Sequence, residues 1–264
     1  MKRIVITVPI TLFLLFSLAT GVLFADDPYG LLRQPSDGFS QVLPGKTIDF
    51  PRDHYPHKNF KIEWWYLTGN LESRNGDEYG VHWTLFRQAM NPNSNSSGWQ
   101  SNQTWMAHAA MSTPQGFSFS QRFARGGIGQ AGVSNLSHDA TFEAWIDDWT
   151  WQSESQSPFP ARLSASTEGG TFDLSLEAKS GWVLQGSDGF SQKSDFGQAS
   201  YYYSQPFVSI EGTVSLNGEL IEVSGKGWLD REWSSQPLAS NQAGWDWLSL
   251  HLNDGSALMV YQLR

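Results

Sequence analysis

The chain has 264 residues, of which 39% are hydrophobic, 16% charged and 14% aromatic, with 13 Trp, no Cys and a formal net charge of −9. That length fits one large β domain or two smaller ones, and the charged fraction falls well below the roughly 25% of an average globular domain. The lack of Cys excludes a disulfide scaffold, a Cys zinc site, a thiol nucleophile and an acylated lipoprotein cysteine, and the acidic balance argues against nucleic acid and anionic lipid head groups as partners.

The N-terminus reads Met1-Lys2-Arg3, then an apolar run from Ile4 to Ala25, then Asp26-Asp27. A short basic segment, an apolar stretch and small residues before an acidic start predict a cleaved signal peptide over residues 1–25 and a periplasmic or secreted protein. The alternative is an uncleaved N-terminal anchor, which would be the chain's one link to a membrane. Pro9 and the Thr and Ser residues of the run weaken a permanent span. Loss of Lys2 and Arg3 with the leader would leave 15 basic against 26 acidic residues, a net −11.

Residues 26–48 are punctuated by Pro, Gly and Ser and read as an extended lead-in. Beyond them helical periodicity is hard to find. Short alternating or aromatic runs recur instead, at Ile62 to Leu71, Tyr79 to Arg87, Trp105 to Met111, Phe117 to Phe123, Thr171 to Leu176 and Phe207 to Leu216. Many short strands with turn signals between them predict an antiparallel sandwich or barrel. Asn91 to Asn102 is the most linker-like insert and is expected to be a mobile loop.

The segment Phe207 to Leu216 alternates, and Asn217-Gly218 after it supplies the two positive-φ positions of a type I′ turn. A two-residue turn pairs Leu216 with Glu219 and Val214 with Ile221. Carried onward, that register sets Phe207 against Trp228, Gln205 against Asp230 and Tyr203 against Glu232. Tyr201, Tyr203, Trp228, Asp230 and Glu232 would then share one face. Pro206, Gly225 and Gly227 are the weak points, since one bulge there would exchange the faces. Asp254-Gly255 predicts a further hairpin turn, with a last strand over Ser256 to Arg264.

Several patterns carry candidate chemistry. Gly127-Ile-Gly129-Gln-Ala-Gly132 matches the dinucleotide glycine spacing, but the Ser, Asn and Asp residues after it do not open a helix, so no nucleotide is expected. Asp53, His54 and His57 surround Pro56 and read as a structural loop rather than a metal site, having no obvious third ligand. His82 and His108 lie in apolar strands, where an imidazole is either a satisfied core group or an acid–base and orienting group facing a cavity. Glu63 stands in Glu63-Trp-Trp-Tyr66, and Asp230, Arg231 and Glu232 stand in Trp228-Leu-Asp-Arg-Glu-Trp233. Charges in such aromatic strands pair or lose their charge. A buried salt bridge of Arg231 or Arg87 with Glu63 or Glu232 is the structural alternative. A carboxyl that stays protonated, as Asp230 would, can instead protonate an alkene. The aromatic surplus either packs a β core or lines a site for a flat apolar ligand, with carbohydrate stacking a third reading. Candidate lining residues are Glu63, Trp65, His82, Trp105, His108 and Glu232.

Six ordered motifs resemble one family. They are Phe50-Pro-Arg-Asp-His54, Glu63-Trp-Trp-Tyr-Leu-Thr-Gly69, Met106-Ala-His-Ala-Ala110, Ala199-Ser-Tyr-Tyr-Tyr-Ser204, Trp228-Leu-Asp-Arg-Glu-Trp233 and Gly244-Trp-Asp-Trp247. Together they are similar to the AttH-like proteins, secreted relatives of the carotenoid 1,2-hydratases (hydroxyneurosporene synthases). The resemblance implies a first lipocalin-like barrel over residues 49–225. It also implies the start of a second, incomplete lipocalin-like barrel over residues 226–264, because family members carry two barrels and are longer. Fungal relatives catalyse intramolecular Diels–Alder cyclisation of polyenes, so the scaffold suits long conjugated ligands. The hydratases use a His-x-Trp and a later Tyr-x-Asp whose Asp protonates a terminal alkene. Here Asp230 matches that Asp, Trp228 stands at the Tyr, and Tyr201 and Tyr203 stand at the His and Trp. The expectation is an all-β, lipocalin-like, exported protein that binds a small hydrophobic, polyene- or isoprenoid-like ligand, with a transport system as a candidate partner. The sharper alternative is a hydro-lyase or cyclase acting through Asp230, with Trp228, Tyr203 and Tyr201 around it and neither metal nor nucleotide cofactor.

Overall fold

The structure is a computed structural model that describes residues 36–92, 96–236, 238–239 and 241–264. The predicted leader and the first part of the lead-in lie outside the described residues.

The strands are β1 (Ile62–Ser73), β2 (Glu78–Ala89), β3 (Gln103–Thr113), β4 (Gly116–Arg125), β5 (Ala131–Val133), β6 (Glu143–Ile146), β7 (Trp149–Ser153) and β8 (Ala161–Thr167). After them come β9 (Gly170–Ala178), β10 (Val183–Leu184), β11 (Phe190–Gln192), β12 (Ala199–Leu216), β13 (Glu219–Gln236), β14 (Trp245–His251) and β15 (Ala257–Leu263). The first thirteen form one sheet in the order β4-β3-β2-β1-β13-β12-β9-β8-β7-β6-β5, with β10 and β11 also pairing β12. All their ladders are antiparallel, and the sheet curls into a nearly closed, lipocalin-like barrel whose far members meet, β3 and β4 touching β6 and β8. β14 and β15 form a separate two-stranded sheet. β13 runs unbroken through the position where the second barrel was expected to begin.

Alternation explains the barrel interior. On β1 the odd-numbered Trp65, Leu67 and Leu71 point inward, joined by Trp83 and Leu85 of β2, Trp105, Ala107, Ala109 and Met111 of β3, and Trp149 and Trp151 of β7. These side chains make one buried cluster with Phe172, Leu174 and Ile210 from the opposite wall. Gly69 and Gly227 admit Ile210 to it, since a Cβ on either would lie within 2.7 Å of the Ile210 Cδ1. The interior is therefore filled by side chains, as in small barrels generally.

The outward face of the same strands is unusual. Trp64 and Tyr66 of β1 and Phe86 of β2 alternate with the core residues and are only partly exposed. A strand that is aromatic on both faces must be covered on both. The hairpin β14–β15 supplies part of that cover. Its Trp245 stacks on Trp64 at 6.5 Å, Trp247 meets Tyr66 edge-on at 5.5 Å, and His251 lies against Trp228 and Phe207.

The Asn217-Gly218 turn forms as expected, with φ of 53° and 84°, and Leu216 pairs Glu219 while Val214 pairs Ile221. The onward register does not continue. Between Gln205 and Val208 the pairing shifts by one, so Gln205 faces Leu229, Ser204 faces Asp230, Tyr203 faces Arg231 and Tyr202 faces Glu232. Pro206, which has no N–H to give the ladder, sits in this bulge with Phe207, whose amide is taken by Gln205 Oε1 at 3.2 Å. Every side chain from 201 to 205 therefore lies on the face opposite to the one expected. The insert from Asn91 to Asn102 was expected to be mobile, but in its described part it is tethered, Asn102 Nδ2 donating to the Asn91 carbonyl at 2.7 Å.

Candidate functional site

Two buried clusters of charge flank the β1–β13 ladder, one on each face. At the barrel mouth, under the 3-10 turn Arg52–His54, Glu63 is fully buried and takes the guanidinium groups of both Arg87 and Arg231. Burial alone would raise its pKa, but Arg87, Arg231 and His57 outweigh it and hold the carboxyl well below the usual range. Arg231 lies over Trp65 at 3.8 Å and Trp233 at 5.1 Å, and His57 stacks on Trp233 at 4.0 Å. His57 also joins Asp53 and Glu63, at 3.1 Å to each. Tyr203 belongs to this cluster, its hydroxyl 2.6 Å from His54 Nδ1. Burial and the Arg231 charge push the His54 pKa down to about 3, so the imidazole is neutral. Tyr201, buried in the same cluster, exchanges hydrogen bonds with the backbone of Leu43, pinning the lead-in.

The opposite face carries Asp230. Its Oδ1 accepts from Ser204 Oγ at 2.6 Å and from Trp228 Nε1 at 2.8 Å, and the Tyr202 hydroxyl is a further donor to the carboxyl. Trp247 Nε1 in turn donates to the Tyr202 hydroxyl at 3.3 Å. Among the described residues no cation pairs with the Asp230 carboxyl directly. Burial pushes the Asp230 pKa up to about 7, with the Glu232 charge adding, against the three donors that lower it. Burial and the Asp230 charge likewise push Tyr66 up to about 12. Asp230 is thus a carboxyl that holds its proton near neutrality, walled by Tyr66, Tyr202, Trp228 and Trp247.

The residues lateral to Asp230 follow from register alone. Asp230 pairs Tyr66, Tyr66 pairs Thr84, Thr84 pairs His108 and His108 pairs Gln121. The neighbouring row runs Glu232, Trp64, Phe86, Met106, Phe123. Ring contacts continue outward from Trp64 to Phe86 at 6.2 Å, Phe86 to His108 at 5.5 Å and His108 to Phe119 at 5.2 Å, and Tyr66 meets His82 at 4.7 Å. Burial, with the neighbouring His108, lowers the His82 pKa to about 4, and burial lowers His108 too. Phe119 and Phe123 reach solvent at the open end. Four strand spacings separate β13 from β4, so this aromatic belt is about 19 Å long.

Beside Asp230, Glu232 accepts from Ser200 and from Lys193 Nζ at 2.9 Å. A cleft of about 40 Å³ opens there between sheet and hairpin, walled by Trp64, Tyr202, Trp247 and Tyr261.

Of the expected site residues, the structure brings Trp228, Asp230, Glu232, His82 and His108 onto one outer face. Tyr201 and Tyr203 are corrected to the other face by the Pro206 bulge. Trp65 and Trp105 stand in the buried core cluster, 6.2 Å apart, and Glu63 is held between its two arginines. Sequence reasoning missed Trp64, Tyr66, Tyr202, Ser204 and Trp247. The aromatic pair at i and i+2 in Gly244-Trp-Asp-Trp247, and aromatics at both parities in Glu63-Trp-Trp-Tyr66, were the signals available for them.

Comparison with known proteins gives a consistent picture. Residues 41–264 match the AttH family, described as AttH-like. The crystal structure of a candidate AttH from Nitrosomonas europaea is similar at 39% identity and a TM-score of 0.74, over 86% of this chain and 68% of that one. Kievitone hydratase from Nectria haematococca is similar in fold, at 16% identity and a TM-score of 0.54 over the same shares of the two chains. No curated protein matches.

Proposed function

The chain belongs to the AttH-like family, and we propose that it is an exported protein binding a long, apolar, unsaturated ligand across the outer aromatic face of its barrel, at Asp230 beneath the C-terminal hairpin. The observation that carries this is the belt itself. A row of rings runs from Trp64, beside the buried carboxyl of Asp230, outward to the exposed Phe119, whereas the barrel interior is occupied by its own tryptophans. Aromatic faces of this kind suit a flat, extended hydrocarbon.

A second reading is favoured by the state of Asp230. A carboxyl whose pKa lies near 7 has its proton available at neutral pH and is matched to proton transfer. In that reading the Asp230 proton adds to one alkene carbon as the π pair forms the new C–H bond. The π faces of Tyr66, Trp228 and Trp247 stabilise the cation left on the adjacent carbon. Water then forms the C–O bond and returns a proton to the Asp230 carboxylate, completing a hydration. Capture by a second C=C followed by proton loss would be a cyclisation.

The test is native mass spectrometry of the exported protein, purified without detergent, with organic extraction of what it carries. A co-purifying unsaturated lipid that is lost from Tyr66→Leu and Trp247→Ser supports the site. Retention by both variants would place the ligand elsewhere. Incubation of the extracted ligand with protein in D2O separates the readings. Deuterium uptake by wild type and not by Asp230→Asn supports acid catalysis, and equal uptake by the two removes it.

A further inference from the structure

The Lys193–Glu232 pair is a feature of the outer face that an all-hydrocarbon ligand would not use. Both side chains are 8% exposed, and their charges lie 2.9 Å apart. Lys193 Nζ sits over the Tyr261 ring at 4.3 Å and the Tyr202 ring at 5.2 Å, so its position is fixed by two aromatic faces and one carboxylate. Buried pairs of this kind cost desolvation and are weak devices for stability. This one lies against the cleft between sheet and hairpin, whose volume is about 40 Å³. That is room for about one to three water-sized groups, enough for a hydroxyl and the carbon that bears it.

Taking the outer-face reading as its premise, we propose that the ligand is an amphipathic alcohol: its hydroxyl is held in the cleft by Lys193 and Glu232, and its unsaturated chain passes Asp230 along the belt. The argument rests on what a neutral ion pair can recognise. A hydroxyl both donates and accepts, so it can donate a hydrogen bond to the Glu232 carboxylate and accept one from the Lys193 ammonium. A carboxylate head has no proton to donate and would stand beside the like charge of Glu232 in a place of low dielectric. An ammonium head would meet Lys193. A methyl terminus would bring no hydrogen bond to the pair, whose members would keep only each other and Ser200. The geometry also orders the ligand. Glu232 and Asp230 are two residues apart on one strand face, so the alcohol carbon is anchored about 7 Å from the carboxyl along β13, and Asp230 faces the chain rather than the head.

The test uses three probes with the same polyene and different ends: all-trans-retinol, all-trans-retinoic acid and axerophtene, the corresponding hydrocarbon. Binding is read as quenching of tryptophan fluorescence in the full chain. The proposal expects retinol to bind about tenfold or more tightly than either of the others, the gain of a hydrogen bond to charged groups. In the Lys193→Gln/Glu232→Gln double variant, which removes both charges together, the three probes should fall within about threefold of one another. Comparison within the wild type needs no variant to fold. Retinoic acid or axerophtene binding as tightly as retinol, or a preference for retinol that survives the double variant, would overturn the head-group assignment while the outer-face site stood. If no probe binds, both fall.

Discussion

Glu63 and Asp230 are both buried carboxyls on adjacent, paired strands, yet they have opposite surroundings. Glu63 is met by two guanidinium groups and a histidine. Asp230 is met by a serine, an indole and a phenol. The first environment stabilises the anion and the second merely tolerates it, so one carboxyl is fixed as a charge and the other keeps its proton in reach of neutral pH. Complete compensation marks the group that holds the barrel mouth together, and incomplete compensation marks the one poised for chemistry.

The largest effect that would break this comparison comes from Glu63→Gln. It leaves Arg87 and Arg231, both wholly buried, without their counter-charge. A loss of about 3–5 kcal/mol is expected in urea denaturation, or failure to fold. A loss below about 1 kcal/mol would show that the mouth cluster is not structural. Trp65→Leu and Tyr66→Leu then test the two faces of a single strand. Trp65 is in the solid core and packs on Arg231, so its truncation should cost about 2–4 kcal/mol and leave the affinity of the folded fraction for retinol unchanged. Tyr66→Leu should cost about 1 kcal/mol or less and weaken retinol about tenfold. The reverse pattern would move the ligand into the barrel.

Asp230→Asn sharpens the comparison through pH. The folded-state pKa, about 7, lies above the ordinary 3.8. Between those values the folded chain keeps a proton that the unfolded chain has released. Stability from this group is therefore full below about pH 4, falls as pH rises towards 7, and is level above it. The asparagine variant has no such dependence. Relative to wild type it should gain about 2–4 kcal/mol between pH 4 and pH 8 in urea denaturation. Glu63 and Asp53, whose pKa values are held low, contribute the opposite slope equally to both proteins and cancel in the difference. A flat difference would mean that Asp230 is already ionised in the fold.

Much of the fold was legible in the sequence. Period-two runs located β1, β2, β3, β4, β9 and β12, and Asn217-Gly218 fixed a turn because few other pairs accept two positive φ values. The Arg87 and Arg231 pairing to Glu63 was also among the expected alternatives, since a carboxylate in an aromatic strand needs a partner. The site was legible only to the bulge. Asp230, Trp228 and Glu232 follow from β13 alone and share a face whatever β12 does. Tyr201 and Tyr203 depended on counting across Pro206, and one extra residue there exchanged them for Tyr202 and Ser204. Local sequence cannot decide that, because whether a proline is absorbed in a bulge depends on the strand opposite. Trp65 and Trp105 show a second limit. An inward-facing tryptophan reads equally well as the wall of a cavity or the filling of a core, and the closure of the barrel by β6–β9 decides it.

The smallest expected effect concerns the far end of the belt. Phe119 is partly solvent-exposed and rests on His108 at 5.2 Å, about four strand spacings from Asp230. Its loss should leave stability within about 0.5 kcal/mol of wild type, as for most surface changes. What it should change is a dependence on ligand length. A short polyene held at Asp230 does not reach β4, whereas a long one lies over the ring. Phe119→Ser is therefore expected to weaken lycopene about threefold and leave retinol unaffected, both read by tryptophan quenching. Equal weakening of the two would mean that Phe119 shapes the site as a whole. No weakening of either would mean that the ligand leaves the sheet beneath the hairpin, and that the exposed rings of β4 belong to a different surface from the one around Asp230.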